Sequence, residues 1–344
     1  MVRPLSAHTL SDRLLAWFDR YGRDLPWRVK GGAHSDPYAV WISEIMLQQT
    51  TVKTVLDYFP RWMNRFPNVQ ALAAADVQDV LLMWQGLGYY TRARKLHECA
   101  RVLADQYNGR IPADRNALLK LPGIGPYTAS SICCFAFNMP ETVVDGNVIR
   151  VIARLYGLTQ AITRDDIYRR AQPLTPADRG ADYASAIMDL GATICLPEHP
   201  KCEACPWQPT CLACARRIAE KIPVRPKPMK QERRGTVWLI QNNAGAYAIR
   251  QRGGRGLLSG LYEFPWSYAD ETPLYATIAG SEVGQVVHTF THFRLTLTVR
   301  TCRTETLPAP DMIFVTPDRF NQYPFSTLMR KVIHYTSPIH HPGR

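Results

Sequence analysis

A mainly helical region of about 222 residues, followed by a smaller α+β domain built on a sheet, is the fold class predicted for this 344-residue chain. Three observations carry the prediction. Apolar residues recur at helical spacing up to about residue 222, separated by short glycine and proline punctuation. Three prolines, Pro223, Pro226 and Pro228, then fall within six residues and disfavour helix. Beyond them the texture changes to strict alternation, with Phe293, Leu295, Leu297 and Val299 on one face and Arg294, Thr296, Thr298 and Arg300 on the other. At this length two domains are expected.

In chain order, Leu10, Leu14, Trp17, Phe18 and Tyr21 mark an opening helix rather than the apolar core of a signal peptide. The segment Val40-Trp-Ile-Ser-Glu-Ile-Met-Leu-Gln-Gln-Thr50 has too few polar positions for an exposed helix. Burial there would raise the pKa of Glu44 and let it act as a proton donor, the alternative being a solvated glutamate on a helix rim. Val80, Leu81, Met83 and Trp84 form a further helical stripe. Leu121-Pro-Gly-Ile-Gly-Pro-Tyr127 then has the form of a helix-hairpin-helix turn. Gly123 and Gly125 would allow close backbone approach, so that amides and a helix N-terminus meet a phosphate, although glycine and proline also make ordinary turns. Asp145, between Val143-Val144 and Gly146-Asn147, reads either as a helix N-cap or as a carboxylate facing a sugar whose phosphate the hairpin holds.

Cys195, Cys202, Cys205 and Cys211 are spaced C-x6-C-x2-C-x5-C. Four thiolates in so short a stretch match the ligand count of one 4Fe-4S cluster. A zinc ribbon uses two C-x2-C knuckles, of which these four cysteines supply one, and a disulfide framework fits poorly with nine cysteines. His199 and Cys214 are expected to be surplus to the motif. A net charge of +12 favours a polyanionic partner without separating nucleic acid from an anionic membrane. No apolar run has membrane-spanning length, so an intracellular protein without membrane association is expected.

Trp41-Ile-Ser-Glu-Ile-Met-Leu-Gln-Gln-Thr50, Gly86-Leu-Gly-Tyr-Tyr90, the hairpin, Val144-Asp-Gly-Asn147 and the cysteine loop stand in the order that resembles MutY-type adenine DNA glycosylases, members of the helix-hairpin-helix glycosylase superfamily. The resemblance covers the helical region and, more loosely, the remainder. It implies excision of adenine from double-stranded DNA in which A lies opposite 8-oxoguanine or G. Glu44 would protonate the departing adenine and Asp145 would stabilise an oxocarbenium-like sugar, two carboxylates kept in different protonation states. Endonuclease III-like relatives have a lysine where this chain has Tyr127, and a phenol cannot form their Schiff base. Tyr127 therefore implies a monofunctional glycosylase. Gln49 and Tyr89 match residues that wedge into the opened stack, Trp27 and Arg28 match walls of the adenine pocket, and Asp189 matches an acceptor for the exocyclic amine.

The C-terminal part resembles the Nudix-like domain of that family, through the segment 253–265 and His288-Thr-Phe-Thr-His-Phe293. It lacks the glutamate-rich box after Gly260, which implies binding without hydrolysis. Phe290, Thr291 and His292 match a Phe-Ser-His loop that inspects 8-oxoguanine, with threonine in place of serine. The expected division is a glycosylase region over 1–222, a linker over 223–234 and a Nudix-like domain over 235–344. Within the first, 29–142 would form a six-helix barrel, while 1–28 and 143–222 would form the cluster domain. A cytoplasmic, nucleoid-associated monomer is expected. Two other readings are a bifunctional glycosylase and lyase, which Tyr127 argues against, and a non-enzymatic iron-sulfur DNA-binding redox sensor, which would need neither Glu44 nor Asp145.

Overall fold

The computed structural model describes residues 6–31, 35–224, 230–253, 256–271 and 280–336. Contacts divide the chain into two compact units, Met1–Ala74 with Glu98–Pro226, and Ala75–His97 with Lys227–Arg344. Residues 225–229 of the expected linker, 254–255 of the glycine-rich motif and 32–34 of the expected barrel lie outside the described residues. Among the described residues no helix is long and apolar enough to cross a membrane.

The first unit is helical. In chain order it contains α1 (Ala7–Tyr21), α2 (Pro37–Leu47), α3 (Val52–Arg65) and α4 (Val69–Ala74), while α5 (Val77–Met83) falls in the second unit. There follow α6 (Thr91–Tyr107), α7 (Arg115–Leu119), α8 (Pro126–Phe137), α9 (Gly146–Leu155), α10 (Arg164–Ala171), α11 (Gly180–Thr193) and α12 (Leu212–Ala215). Side-chain caps set several boundaries. Ser6 accepts from the Thr9 amide ahead of α1, and Asp36 accepts from the Tyr38 and Ala39 amides ahead of α2, where Pro37 fills the first turn. Leu10, Leu14, Trp17 and Phe18 of α1 are buried, whereas Tyr21 is 66% exposed although it shares their spacing. The first four join Val148, Ile152, Ile187, Leu190 and Trp207 in one core, so α1 is held against α9, α11 and the cysteine loop. In α2 the run from Val40 to Met46 is wholly buried and packs on α8, itself apolar on almost every side. A helix enclosed all round carries its one carboxylate inside with it.

The second unit holds a mixed sheet in the order β3-β2-β1-β6-β5, with β4 also paired to β1 and β7 to β2. The strands are β1 (Gln231–Gln241), β2 (Tyr247–Gln251), β3 (Tyr262–Glu263), β4 (Trp266–Tyr268), β5 (Ser281–Thr289), β6 (Phe293–Arg303) and β7 (Met312–Val315). β1 runs parallel to β6, in register from Gln231 opposite Phe293 to Gln241 opposite Arg303. β1 thus takes in the last four residues of the expected linker, 231–234. On β6, Leu295, Leu297 and Val299 are buried as the alternation predicts. They face Phe320, Phe325 and the helix α13 (Thr327–Ile333). The opposite face buries Trp238, Ile240, Ala248 and Cys302. Covered on both sides, the centre of β1 reads Val237-Trp-Leu-Ile240, a continuous apolar run without alternation.

Candidate active site

A cleft of about 560 Å³ opens in the helical unit, lined by Trp27, Arg28, Glu44, Gln49, Tyr127 and Asp145 among others. Six of the residues singled out from sequence therefore meet at one place. Their positions come from different elements: the loop after α1, α2 and its C-terminal turn, the start of α8 and the N-cap of α9.

Glu44 is 8% exposed. Burial is the largest influence on its carboxyl and, against hydrogen bonds from Ser131 and Tyr127, raises its pKa to about 7; the Asp145 charge pushes the same way and Arg28 opposes it. The Tyr127 phenol is driven well above its ordinary range by burial first, then by the charges of Glu44 and Asp145. It stays protonated at neutral pH and donates to Glu44. Asp145 is the helix N-cap of the first reading: its Oδ1 accepts from the Val148 amide at 2.7 Å and caps α9, while its Oδ2 accepts from Asn147 Nδ2 at 3.0 Å, and the residue also lines the cleft. The cap fixes the carboxylate in place. Ser131, 0% exposed, and Asn147 are part of this arrangement and were not singled out from sequence. A hydroxyl on an apolar helix was the one signal for Ser131.

Asp189 sits behind the cleft wall rather than in it. It is 0% exposed, and its carboxylate accepts from the Arg23 amide at 2.8 Å, from Arg23 Nε and Nη2 at 2.9 and 2.6 Å, and from Arg28 Nη1 at 3.0 Å. In this arrangement both of its oxygens accept from guanidinium and amide donors. Asp189 thereby fixes Arg23 and Arg28, which line the cleft. Arg23 was missed, since a pair spanning 166 residues leaves no local pattern. Trp27 is buried and meets Phe59 edge-on at 5.3 Å.

Gln49 and Tyr89 both carry left-handed backbones, with φ of 59° and 48°. Such strain in non-glycine residues is found preferentially at functional sites. Gln49 is exposed at the cleft. Tyr89 is 48% exposed in the second unit, and its hydroxyl is hydrogen-bonded to that of Thr291. Thr291 and His292 are exposed at the tip of the three-residue loop joining β5 to β6, whereas Phe290 stacks on Phe293 at 4.6 Å.

In the hairpin between α7 and α8, Gly123 has φ of 77°, which explains that glycine from the free chain. Gly125 has an ordinary φ of −92°, and a Cβ built on it meets nothing within 4 Å. Neither torsion nor crowding inside the chain requires a glycine there, so its open face suits a partner's close approach.

Cys195, Cys202, Cys205 and Cys211 line a single small cavity, and the thiols of Cys202, Cys205 and Cys211 are raised by burial and by their mutual repulsion with Cys195. Among the described residues no three His, Cys, Asp or Glu converge on a single ion. A cubane asks for something else, since each sulfur binds a separate iron and the four stand around a volume. The surroundings fit it. Arg154, 2% exposed, donates to the Ile222, Leu196 and Pro197 carbonyls and to Cys195 Sγ at 3.4 Å, a buried cation for which thiolates supply the opposite charge. His199 is exposed beside Glu220, as expected of a surplus residue. Cys214 differs from expectation. It lines the same cavity, and with Cys211 it makes a second C-x2-C step that the reading of one knuckle overlooked.

The family described as HhH-GPD superfamily base excision DNA repair protein matches residues 42–177, and that described as NUDIX domain matches 236–335. The adenine DNA glycosylase of Mus musculus is 34% identical over 392 residues, spanning 93% of this chain and 76% of that protein. That of Homo sapiens is 34% identical, spanning 93% and 72%. The adenine DNA glycosylase of Mycobacterium tuberculosis (strain CDC 1551 / Oshkosh) is 42% identical over 205 residues, spanning 58% and 66%. Among solved structures, a thermostable thymine-DNA glycosylase superposes with a TM-score of 0.56 at 30% identity, over 61% of this chain and 97% of that one. Endonuclease III in a non-covalent complex with DNA gives a TM-score of 0.52 at 23% identity, over 62% and 99%, and speaks for the fold.

Proposed function

As the chain belongs to the adenine DNA glycosylases, we propose that it excises adenine paired with 8-oxoguanine, and with guanine, by acid-assisted departure of the base and without strand cleavage. It is a DNA glycosylase of base excision repair, and DNA is its partner. The cleft between Trp27, Arg28 and Tyr127 receives the flipped adenine, out of the stack into which Gln49 and Tyr89 wedge. Glu44, protonated near neutrality, donates its proton to N7 as the N-glycosidic bond breaks. Asp145, fixed in place by its cap, faces the positive charge that grows on the sugar, and water adds to leave an abasic site. Tyr127 holds the Glu44 carboxyl by a hydrogen bond and offers no amine for an imine. Gly123 and Gly125 let the hairpin meet a phosphate, and Phe290, Thr291 and His292 read the base opposite.

The observation that carries this reading is Glu44, a buried carboxyl with its pKa raised to about 7 in a cleft it shares with Asp145. Single-turnover assays on a duplex with A opposite 8-oxoguanine test it. Wild type releases adenine, while Glu44→Gln and Asp145→Asn are slowed by about 100-fold or more. Normal release by both variants refutes the assignment. Strand cleavage with borohydride trapping by wild type would instead make the enzyme a lyase, and absence of release would favour a DNA-binding sensor.

The same reading assigns Cys195, Cys202, Cys205 and Cys211 to one 4Fe-4S cluster. When bound, such a cluster cross-links the loop and adds one-electron redox capacity. Lys201 lies exposed on that loop, available to backbone phosphate. The expected division into a barrel over 29–142, a cluster domain from 1–28 with 143–222, and a lesion-recognition domain from 235 onward is part of the proposal, as is a monomer working on chromosomal DNA inside the cell.

A further inference from the structure

We propose that Cys214 is a fifth cluster-competent thiol, able to take the ligand place of Cys202. The inference rests on the cluster reading above. Cys214 is carried by α12, three residues beyond Cys211, and its side chain lines the cavity that holds the other four. Cys202 and Cys211 line that same cavity beside it, and the Cys214 thiol is near enough to act on both. Five cysteines thus line one cavity, where a cubane needs four sulfurs.

The frame around Cys214 keeps it there. Ala213 is fully buried in the core shared by α1, α9 and α11, and its carbonyl accepts from the Ile218 amide at 2.9 Å. The Cys211 carbonyl accepts from the Ala215 amide at 3.0 Å, so the short helix is pinned at both ends. Cys202 sits in a single 3-10 turn, Cys202–Ala204, with none of its residues buried. The primary ligand is therefore on the looser segment and the spare on the firmer one.

The exchange balances without a co-reactant. The Cys214 sulfur loses its proton and bonds iron, while the Cys202 sulfur leaves that iron and takes up a proton. No atom changes oxidation state. A loop with this reserve keeps four thiolates on the cluster after Cys202 is oxidised or alkylated.

Iron and sulfide content and the visible charge-transfer absorption of the full chain test the proposal, after anaerobic reconstitution of wild type, C202A, C205A, C214A and C202A/C214A. C202A and C214A should each retain nearly the wild-type content of about four irons per chain. C205A and the double variant should lose most of it. C202A falling to the level of C205A, or the double variant matching C202A, overturns the spare-ligand inference. Wild type without iron overturns the cluster reading instead. Should C202A fail to fold, C202S preserves the side-chain volume: a spectrum matching wild type supports ligation by Cys214, and the altered spectrum of a serine-ligated cluster refutes it.

Discussion

Replacing Glu44 by glutamine should make the helical unit more stable at alkaline pH while abolishing adenine release. The folded carboxyl titrates at about 7 against 4.5 for the free group. Between those values the folded state binds the proton more tightly than the unfolded state. Wild-type stability must therefore fall as pH rises through this window, the reverse of an ion-paired carboxylate. With 1.36 kcal/mol per unit, ionising Glu44 costs about 3 kcal/mol near pH 8 and about 1 kcal/mol near pH 5. Glutamine keeps the shape and remains neutral. The variant-minus-wild-type difference should thus grow by about 2 to 3 kcal/mol in the variant's favour from about pH 5 to about pH 8. Urea unfolding followed by far-UV circular dichroism reads chiefly the helical unit, and the two proteins compared at matched pH isolate residue 44. A difference that stays constant with pH would show that Glu44 does not titrate near 7, and the acid role would fall with it.

Three further outcomes follow from neighbouring contacts. Ser131→Ala removes a hydrogen bond that lowers the Glu44 pKa. The alkaline limb of single-turnover rate against pH should then move upward, and an unmoved or downward-shifted limb contradicts this role of the hydroxyl. Gly123→Ala, at φ of 77°, should destabilise the free protein by about 1 kcal/mol. Gly125→Ala, whose Cβ meets nothing, should leave melting unchanged and weaken binding to uncleavable duplex in a filter or anisotropy assay. Equal effects of both on melting would count against a phosphate-facing Gly125. Asp189→Asn removes the charge of a fully buried carboxylate that holds two part-buried guanidinium groups and should cost about 3 to 5 kcal/mol of stability, measurable in the same urea titration. A loss below about 1 kcal/mol would mean that water reaches the pair.

The legibility of the site in the sequence followed the range of each interaction. Glu44 stood out because a helix with apolar residues on every side has nowhere outside to put a carboxylate, and α2 is buried as that pattern required. Asp145 was readable as a cap from its immediate neighbours. Side chains whose partners lie far along the chain left no comparable trace. Arg23 meets Asp189 across 166 residues, and Tyr89 meets Thr291 across 202. Local spacing describes neither, so the anchoring of Arg23 and Arg28 by Asp189 left no signal in the sequence. The sheet divides the same way. β6 was visible because one strand alternates between unlike surroundings, whereas β1, apolar toward both faces at its centre, reads like any buried segment until its partners are known. Cys214 was expected to be surplus for a different reason: four sulfurs already satisfy a cubane, and spacing does not show that a fifth lines the same cavity.

α9 begins at the carboxylate of Asp145 and, ten residues on, ends beside Arg154, whose guanidinium grips the carbonyls of Leu196 and Pro197. Its span is about 15 Å. A helix of that length behaves as a strut, stiff along its axis and free to tilt only as a whole. Disturbing the thiol loop at one end would therefore tilt the helix that carries the carboxylate at the other. Damage to the cysteine loop would then register as a slower chemical step before it registers as weaker grip on DNA.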